Sequence, residues 1–289
     1  MKLRPLPILA LVSISMFALA CATPPVPASG SETAPAVAKE RTVAVRVPVL
    51  VEERAYLADG ALDRTTSWAY DPEYREALKR VVVEAGRTDP VETLTREFSP
   101  GSVVEALFDT EGQPVSRKTT WLDAEGRKVR ETVEGSIKER GTVSEWFYGP
   151  DGRLAEWRVS DAAGLPLAVT KYAYSGGRLA AARMYDPSGT FEGRLDYKYD
   201  SSGRLSVRTL SDAAGKLERR EEFKWRDGIL VEEASFGRTG ALERREVHEI
   251  GPDGERVATT VYDQAGRVRQ KLEFSYVWRE EIRAVTSFD

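Results

Sequence analysis

Residues 199–205 read Tyr-Asp-Ser-Ser-Gly-Arg-Leu, and close variants of that spelling return at 262–268 (Tyr-Asp-Gln-Ala-Gly-Arg-Val) and 148–154 (Tyr-Gly-Pro-Asp-Gly-Arg-Leu). Each places Asp, Ser, Pro and Gly between two apolar positions. Glycine takes positive φ without a steric penalty and Asp or Ser hydrogen-bonds the turn backbone, so the spelling predicts a tight chain reversal. The glycines keep time. One series runs Gly101, Gly126, Gly152, Gly177, Gly203, Gly228 and Gly254, and a second lies midway at Gly164, Gly189, Gly215, Gly240 and Gly266. Extended backward, the second series meets Gly112, Gly86 and Gly60; at 138 it meets Lys instead, between Gly135 and Gly141.

A reversal every dozen or so residues leaves strands of about eight to ten residues and no room for a helix. Side-chain alternation agrees. After Gly266, Val268, Leu272, Phe274, Tyr276 and Trp278 share one face, while Arg267, Arg269, Lys271 and Glu273 take the other. Other strands carry charge in the middle of their apolar face, as in Leu217, Arg219, Glu221, Phe223 and in Leu242, Arg244, Glu246, His248. Such faces cannot form a dry core along their length. The expectation is an all-β chain of tandem antiparallel β-hairpin repeats, built as an elongated twisted single sheet or an open β-solenoid, with cross-strand Arg–Glu pairs. Residues 100–289 form the well-marked array and 41–99 a poorly marked N-terminal part. There Val43, Val45, Val47, Val49 and Val51 alternate as a strand that Pro48 assigns to an edge or an irregular position.

Upstream, Lys2 and Arg4 precede an apolar run from Leu6 to Ala20, too short to span a bilayer comfortably and suited to a signal-peptide core over residues 1–20. Residues 21–40 hold Cys21 and then Pro24, Pro25, Pro27 and Pro35 among Ala, Ser and Thr, the composition of a tether that buries little. Cys21 is the only cysteine, so no intramolecular disulfide can form. With 42 Lys plus Arg and 46 Asp plus Glu, loss of Lys2 and Arg4 with the signal leaves 40 − 46 = −6. A mildly acidic chain with interspersed signs offers no electrostatic basis for nucleic-acid binding.

Two resemblances follow from these residues. Phe17-Ala18-Leu19-Ala20-Cys21 resembles the lipobox of bacterial lipoproteins, with Ala18 where that family prefers leucine. The resemblance implies a lipid on the Cys21 thiol and anchorage in the cell envelope, with Ala22 implying the outer membrane. The recurring Tyr-Asp-x-x-Gly-Arg-Leu resembles the YD repeat of Rhs-type and teneurin-like shells over roughly residues 100–278. That implies the strand-turn-strand unit and no particular activity.

Chemistry is sparse in the sequence. His248, the only histidine, lies in an alternating charged strand and reads as an ordinary strand residue. Glu221 with Glu222, and Glu232 with Glu233, are adjacent in strands and so point to opposite faces, which prevents either pair from acting on one substrate. No glycine opens a helical pattern as a phosphate loop would. Arg127, Arg153, Arg178, Arg204 and Arg267 follow turn glycines and read as solvated residues beside each turn. Tyr197, Tyr199, Trp225, Phe274, Tyr276 and Trp278 could stack on sugars but read first as packing between strands. No catalytic residue, metal site or cofactor is expected. The expected function is a non-catalytic envelope lipoprotein presenting a repeat β-sheet as a binding or scaffold surface. Its expected partners are the membrane, through the N-terminal lipid, and a protein or polysaccharide. The alternatives are a periplasmic carrier or chaperone for lipid or outer-membrane polypeptide, and a small hydrolase using loop carboxylates.

Overall fold

The computed structural model describes residues 38–135 and 141–288, with side chains over 42–135 and 141–284. Cys21 and the signal-like segment lie outside the described residues, as does Lys138. Two compact units separate: Ala44–Arg283, and a smaller one whose described residues, 38–43 and 284–288, are extended.

The described residues hold strands and no helix. In chain order the strands are β1 (Ala38–Leu57), β2 (Leu62–Tyr70), β3 (Ala77–Glu84), β4 (Glu92–Ser99), β5 (Ser102–Phe108) and β6 (Pro114–Leu122). Next come β7 (Lys128–Gly135), β8 (Thr142–Tyr148), β9 (Leu154–Asp161), β10 (Pro166–Ser175), β11 (Arg178–Tyr185) and β12 (Phe191–Tyr199). The last six are β13 (Leu205–Asp212), β14 (Leu217–Arg226), β15 (Ile229–Phe236), β16 (Leu242–Ile250), β17 (Arg256–Asp263) and β18 (Val268–Phe288). Every strand pairs with its chain neighbours, and β1 also pairs with β18. The sheet therefore closes into an antiparallel barrel of eighteen strands. This corrects the expected elongated single sheet or open solenoid.

The cause of closure lies at the reversals. At the β5–β6 turn, Gly112 N–H donates to Asp109 O at 3.1 Å and Asp109 N–H to Gln113 O at 3.0 Å, with Gly112 at φ 72°. This is a type I turn closed by a bulge at a left-handed glycine. The Asp109 carboxylate accepts the N–H groups of Glu111 and Gln113, each at 2.9 Å. The same aspartate role recurs at Asp123, Asp161, Asp200, Asp212 and Asp263. Nearly every hairpin also shifts register by one residue beside its turn; β3–β4, β4–β5 and β7–β8 are the exceptions. A bulge adds local twist and bends its strand. Repeated along the array, it coils the strip until its two outer strands meet.

Pairing register assigns the faces. Trp146, Trp157 and Thr170 lie directly opposite one another, as do Tyr172 and Ala182, Arg208 and Glu221, and His248 and Thr259. This face holds most of the buried residues, Thr66, Ser144, Thr170, Ala182, His248, Thr259 and Val261. Crowding of that kind belongs to the concave side, so the face looks inward. Among the described residues, the strand backbones that come close to one another are those of ring neighbours. Pro48 precedes the stretch of β1 that pairs with β2, Glu52–Tyr56, where its missing N–H removes no bond to that strand.

Gly112 and Gly203 separate two effects of a turn glycine. A Cβ on Gly112 would meet nothing, whereas the Arg178 guanidinium fills the place a Cβ on Gly203 would take. Gly112→Ala is expected to cost about 1 kcal/mol from its backbone conformation alone. Gly203→Ala should cost that and only a little more, because the Arg178 guanidinium in its way is the end of a flexible side chain that can swing aside; paired urea midpoints measure the difference.

Candidate functional site

The repeat spelling builds one rim of the barrel, at the ends of the even-numbered strands. The Tyr148 hydroxyl donates to Lys128 O at 2.7 Å, Tyr174 to Leu154 O at 2.9 Å, Tyr199 to Leu179 O at 2.8 Å and Tyr276 to Arg256 O at 2.7 Å. Trp225 does the same to Leu205 O with its indole N–H at 2.7 Å. Four of the acceptors are the first residue of their strand and Leu179 is the second of β11, each beside a register shift that disrupts the ladder. The aromatic thus satisfies a carbonyl that the bulge disturbs. The arginines after the turns stack on these rings: Arg127 on Tyr148, Arg153 on Tyr174, Arg178 on Tyr199 and Arg204 on Trp225. They brace successive hairpins, and Arg153 and Arg178 stay exposed to solvent while doing so. Arg267 lies at the opposite rim, paired with Asp263 at 2.8 Å. Trp278 receives Arg46 over its ring, a contact between β1 and β18.

Inside the barrel, charge and aromatic surface share the wall. Glu105 is clamped by Arg96 and Lys118 from the two flanking strands, and Arg208 by Glu221. Burial works against the Glu105 carboxylate, but hydrogen bonds from Lys118 and Arg96 outweigh it and hold its pKa below the usual range. His248 is fully enclosed, its side chain 0% exposed, with Nδ1 2.9 Å from Thr259 Oγ1 and Nε2 3.3 Å from Glu233. The hydrogen bond from His248 lowers the Glu233 pKa. Hydroxyl, imidazole and carboxylate in line resemble a nucleophile with its base, but Thr259 is only 1% exposed and no substrate carbon can reach it. His248 is a wedge that joins β15, β16 and β17. Beside it a half-open recess of about 330 Å³ is lined by Arg219, Glu221, Phe223, Glu233, Arg244 and Glu246. Among the described residues no three His, Cys, Asp or Glu side chains are arranged to hold a metal ion.

Sequence reasoning missed the largest aromatic feature of this wall. Trp146 and Trp157 pair directly across the β8–β9 hairpin, ring centroids 6.2 Å apart and nearly parallel at 15°. Tyr172 and Leu195 lie opposite Ala182, which is 1% exposed between them, and Tyr197 follows Leu195 on the same face. Burial and the neighbouring Tyr197, Tyr174 and Tyr148 phenols push the Tyr172 hydroxyl far above its ordinary pKa. The Trp157 indole N–H is buried without a hydrogen-bond partner.

The outer face is charged as well. Glu232 lies between Lys224 and Arg245, both at 2.7 Å, facing away from Glu233 and its histidine. Arg158 pairs with Glu156, Arg194 with Asp196, Arg220 with Glu222 and Lys271 with Glu273.

No family model matches the chain, nor does any curated protein sequence. Among solved structures the chain is similar to a porin-like protein from Bacteroides uniformis at 12% identity and TM-score 0.45, covering 80% of this chain and 98% of that one. A porin-like protein from Bacteroides vulgatus aligns at 9% identity and TM-score 0.37, over 78% and 97% of the two chains. The Tc holotoxin pore of Photorhabdus luminescens aligns at 12% identity and TM-score 0.23, over 79% of this chain and 16% of that one. Likeness at that level transfers no activity, ligand or partner, and the resemblance to the YD repeat gains no family match.

Glu232 gives the wall a measurable pH response. The hydrogen bond from Arg245 leads the causes that lower its pKa from 4.5 to about 2. A carboxylate depressed in the folded state stabilises above its unfolded pKa, and that contribution fades as pH falls toward the folded value. Stability should therefore drop between about pH 4.5 and 2. Glu232→Gln should be the less stable protein at neutral pH and converge with wild type at the acid end, as read from urea unfolding across that range.

Proposed function

We propose that the chain is a non-catalytic, lipid-anchored envelope protein whose barrel offers its water-filled interior as a binding surface. One observation carries this reading: the wall is a single layer charged on both faces. A barrel wall in hydrocarbon presents an unbroken apolar band, and each Arg or Lys placed there costs about 2–4 kcal/mol at mid-depth. Here Arg130, Arg158, Lys171, Arg183, Arg194, Lys224 and Arg245 share the outer face by register. The wall therefore suits water on both sides, and the lipobox-like Cys21 supplies the membrane attachment that the wall does not.

The interior carboxylates nearest a recess are held by Arg or His, an arrangement that keeps them ionised and spent as partners rather than poised as acids. A carrier for lipid or unfolded polypeptide would want a continuous apolar groove, and the inner wall interrupts its rings with charge. Binding is the reading that remains, at the inner surface where rings and matched charges alternate.

The experiment separates the anchor from the wall. The wild-type protein is expected to partition into detergent and to carry the mass of a diacylglyceryl group on the peptide beginning at Cys21. Cys21→Ser should be released in water as an all-β protein by circular dichroism and leave dye-loaded liposomes intact. A Cys21→Ser protein that needs detergent, or that permeabilises liposomes, overturns the proposal.

A further inference from the structure

The recess on the inner wall of β14–β16 exists because a small residue lies between long ones. Ser235 of β15 faces Glu221 on one side and Arg244 on the other, and its short side chain leaves a hollow between them. One row along, Phe223, Glu233 and Glu246 stand in line across the same three strands. Arg219, two residues beyond Glu221 on the same face of β14, closes the far end. Glu243 is exposed at the mouth.

Most of the charge in this lining is already matched. Glu221 is held by Arg208, Glu233 by His248 at 3.3 Å and Glu246 by Arg244 at 3.0 Å. Elsewhere on the inner wall Arg64, Arg80 and Arg96 each has its carboxylate. Arg219 differs from them, since among the described residues it forms no ion pair. Across β13 it faces Leu210, and toward β15 the ladder ends at Arg220 and Phe236, so no acid lies opposite it on either side. Its half-buried guanidinium keeps its donors for whatever fills the hollow. The other end of the recess shows the reverse condition. Glu233 and Glu246 are direct cross-strand partners, and like charges so placed destabilise a sheet. His248 and Arg244 each hold one of them from the side, and a cation between the two would offset the repulsion that remains.

We propose that this recess binds a short zwitterionic peptide, its terminal carboxylate on Arg219, its terminal ammonium between Glu233 and Glu246, and its first side chain on the Phe223 ring. A guanidinium takes a carboxylate through two parallel hydrogen bonds, and the Ser235 hydroxyl midway can donate to or accept from a peptide group. Spacing sets the length. Arg219 lies four residues from Phe223 on β14, about 13 Å of strand, part of which the long side chains at both ends close. An extended tripeptide spans about 10 Å, whereas a single amino acid carries both charges on one carbon and cannot meet both ends. A multiply charged anion such as phosphate would meet Glu221, Glu233, Glu243 and Glu246 around the one free cation, and a simple amine would leave Arg219 unmatched. The inference rests on the reading of the barrel as a non-catalytic binding protein.

The test uses the full lipidated protein in non-ionic detergent micelles. The probes are leucyl-glycyl-glycine, its N-acetyl and C-terminal amide forms, and inorganic phosphate. Calorimetry is expected to give saturable binding of the free tripeptide and none of phosphate. Blocking either end of the peptide should weaken binding about tenfold to a hundredfold, the worth of one hydrogen bond to a charged group. Arg219→Gln should weaken the free tripeptide by the same factor and leave the affinity of the C-terminal amide unchanged, a pattern that a general loss of structure would not give. Because Arg219 has no partner in the protein, this variant breaks no ion pair, and its thermal melt should match wild type. Arg194→Ala on the outer face should leave peptide affinity unchanged. Tripeptide binding that is absent, indifferent to Arg219→Gln, or equalled by phosphate overturns the site and leaves the barrel reading intact. Release of free leucine from the probe would instead overturn the non-catalytic reading and not the site.

Discussion

The pairing of β1 with β18 is the constraint on which the rest depends. A sheet wetted on both faces has little apolar burial to stabilise it; among the described residues, the buried hydrophobic side chains are only Val49, Ala55, Ala182, Ala258 and Val261. What such a wall has in quantity is its hydrogen-bond ladder and its cross-strand pairs. Two open edges would leave a row of unpaired donors and acceptors on each, and each would be a template for another chain. Closure satisfies both rows at once and makes every strand an interior strand. It also turns one of two equivalent faces into a concave one, and only after that does an inner wall exist to carry a site.

Closure in turn depends on the turn chemistry. An unbulged meander would twist as an open ribbon, and the sequence spaces its glycines so evenly that such a ribbon is the natural first reading. The bulge beside nearly every turn changes that outcome, because each one bends its strand and adds right-handed twist. The bulge also disturbs a carbonyl, and the aromatic of the repeat spelling fills that need with its hydroxyl or indole N–H. Tyr148, Tyr174, Tyr199, Trp225 and Tyr276 are thus part of the closure device, and the arginine behind each turn glycine braces four of those rings from the neighbouring hairpin. Asp, Tyr, Gly and Arg recur together because one reversal uses all four.

The strands and their reversals were legible because they rest on local chemistry. Gly203 and Gly266 both adopt positive φ at turns, as the beat requires. The opposite facing of Glu232 and Glu233 followed from alternation and holds in their partners, Arg245 on one side and His248 on the other. Closure was not legible, since it joins residues more than two hundred positions apart and no local pattern encodes their meeting. The inner platform was half legible. Trp146 and Trp157 lie symmetrically about the turn at 149–153, so hairpin register alone would have put them side by side. Whether that shared face looked into a lumen or out to solvent could be answered only after the ring was known to close.

The distribution of charge argues from the same constraint toward what the interior can do. On the outer face, partners such as Arg194 and Asp196 or Arg220 and Glu222 sit two residues apart on one strand, tidying a solvated surface. On the inner face the clearest pairs, Arg80 with Glu92, Arg96 with Glu105 and Arg208 with Glu221, run between strands and act as rungs. Rungs of that kind hold a curved wall in register without filling its interior, which apolar side chains large enough to do the same work would have done. A hydrophobic lining would have drawn opposite walls together into a sandwich. A lining of matched charges and half-buried rings keeps them apart, and the barrel retains a wet interior open to something that enters from solution.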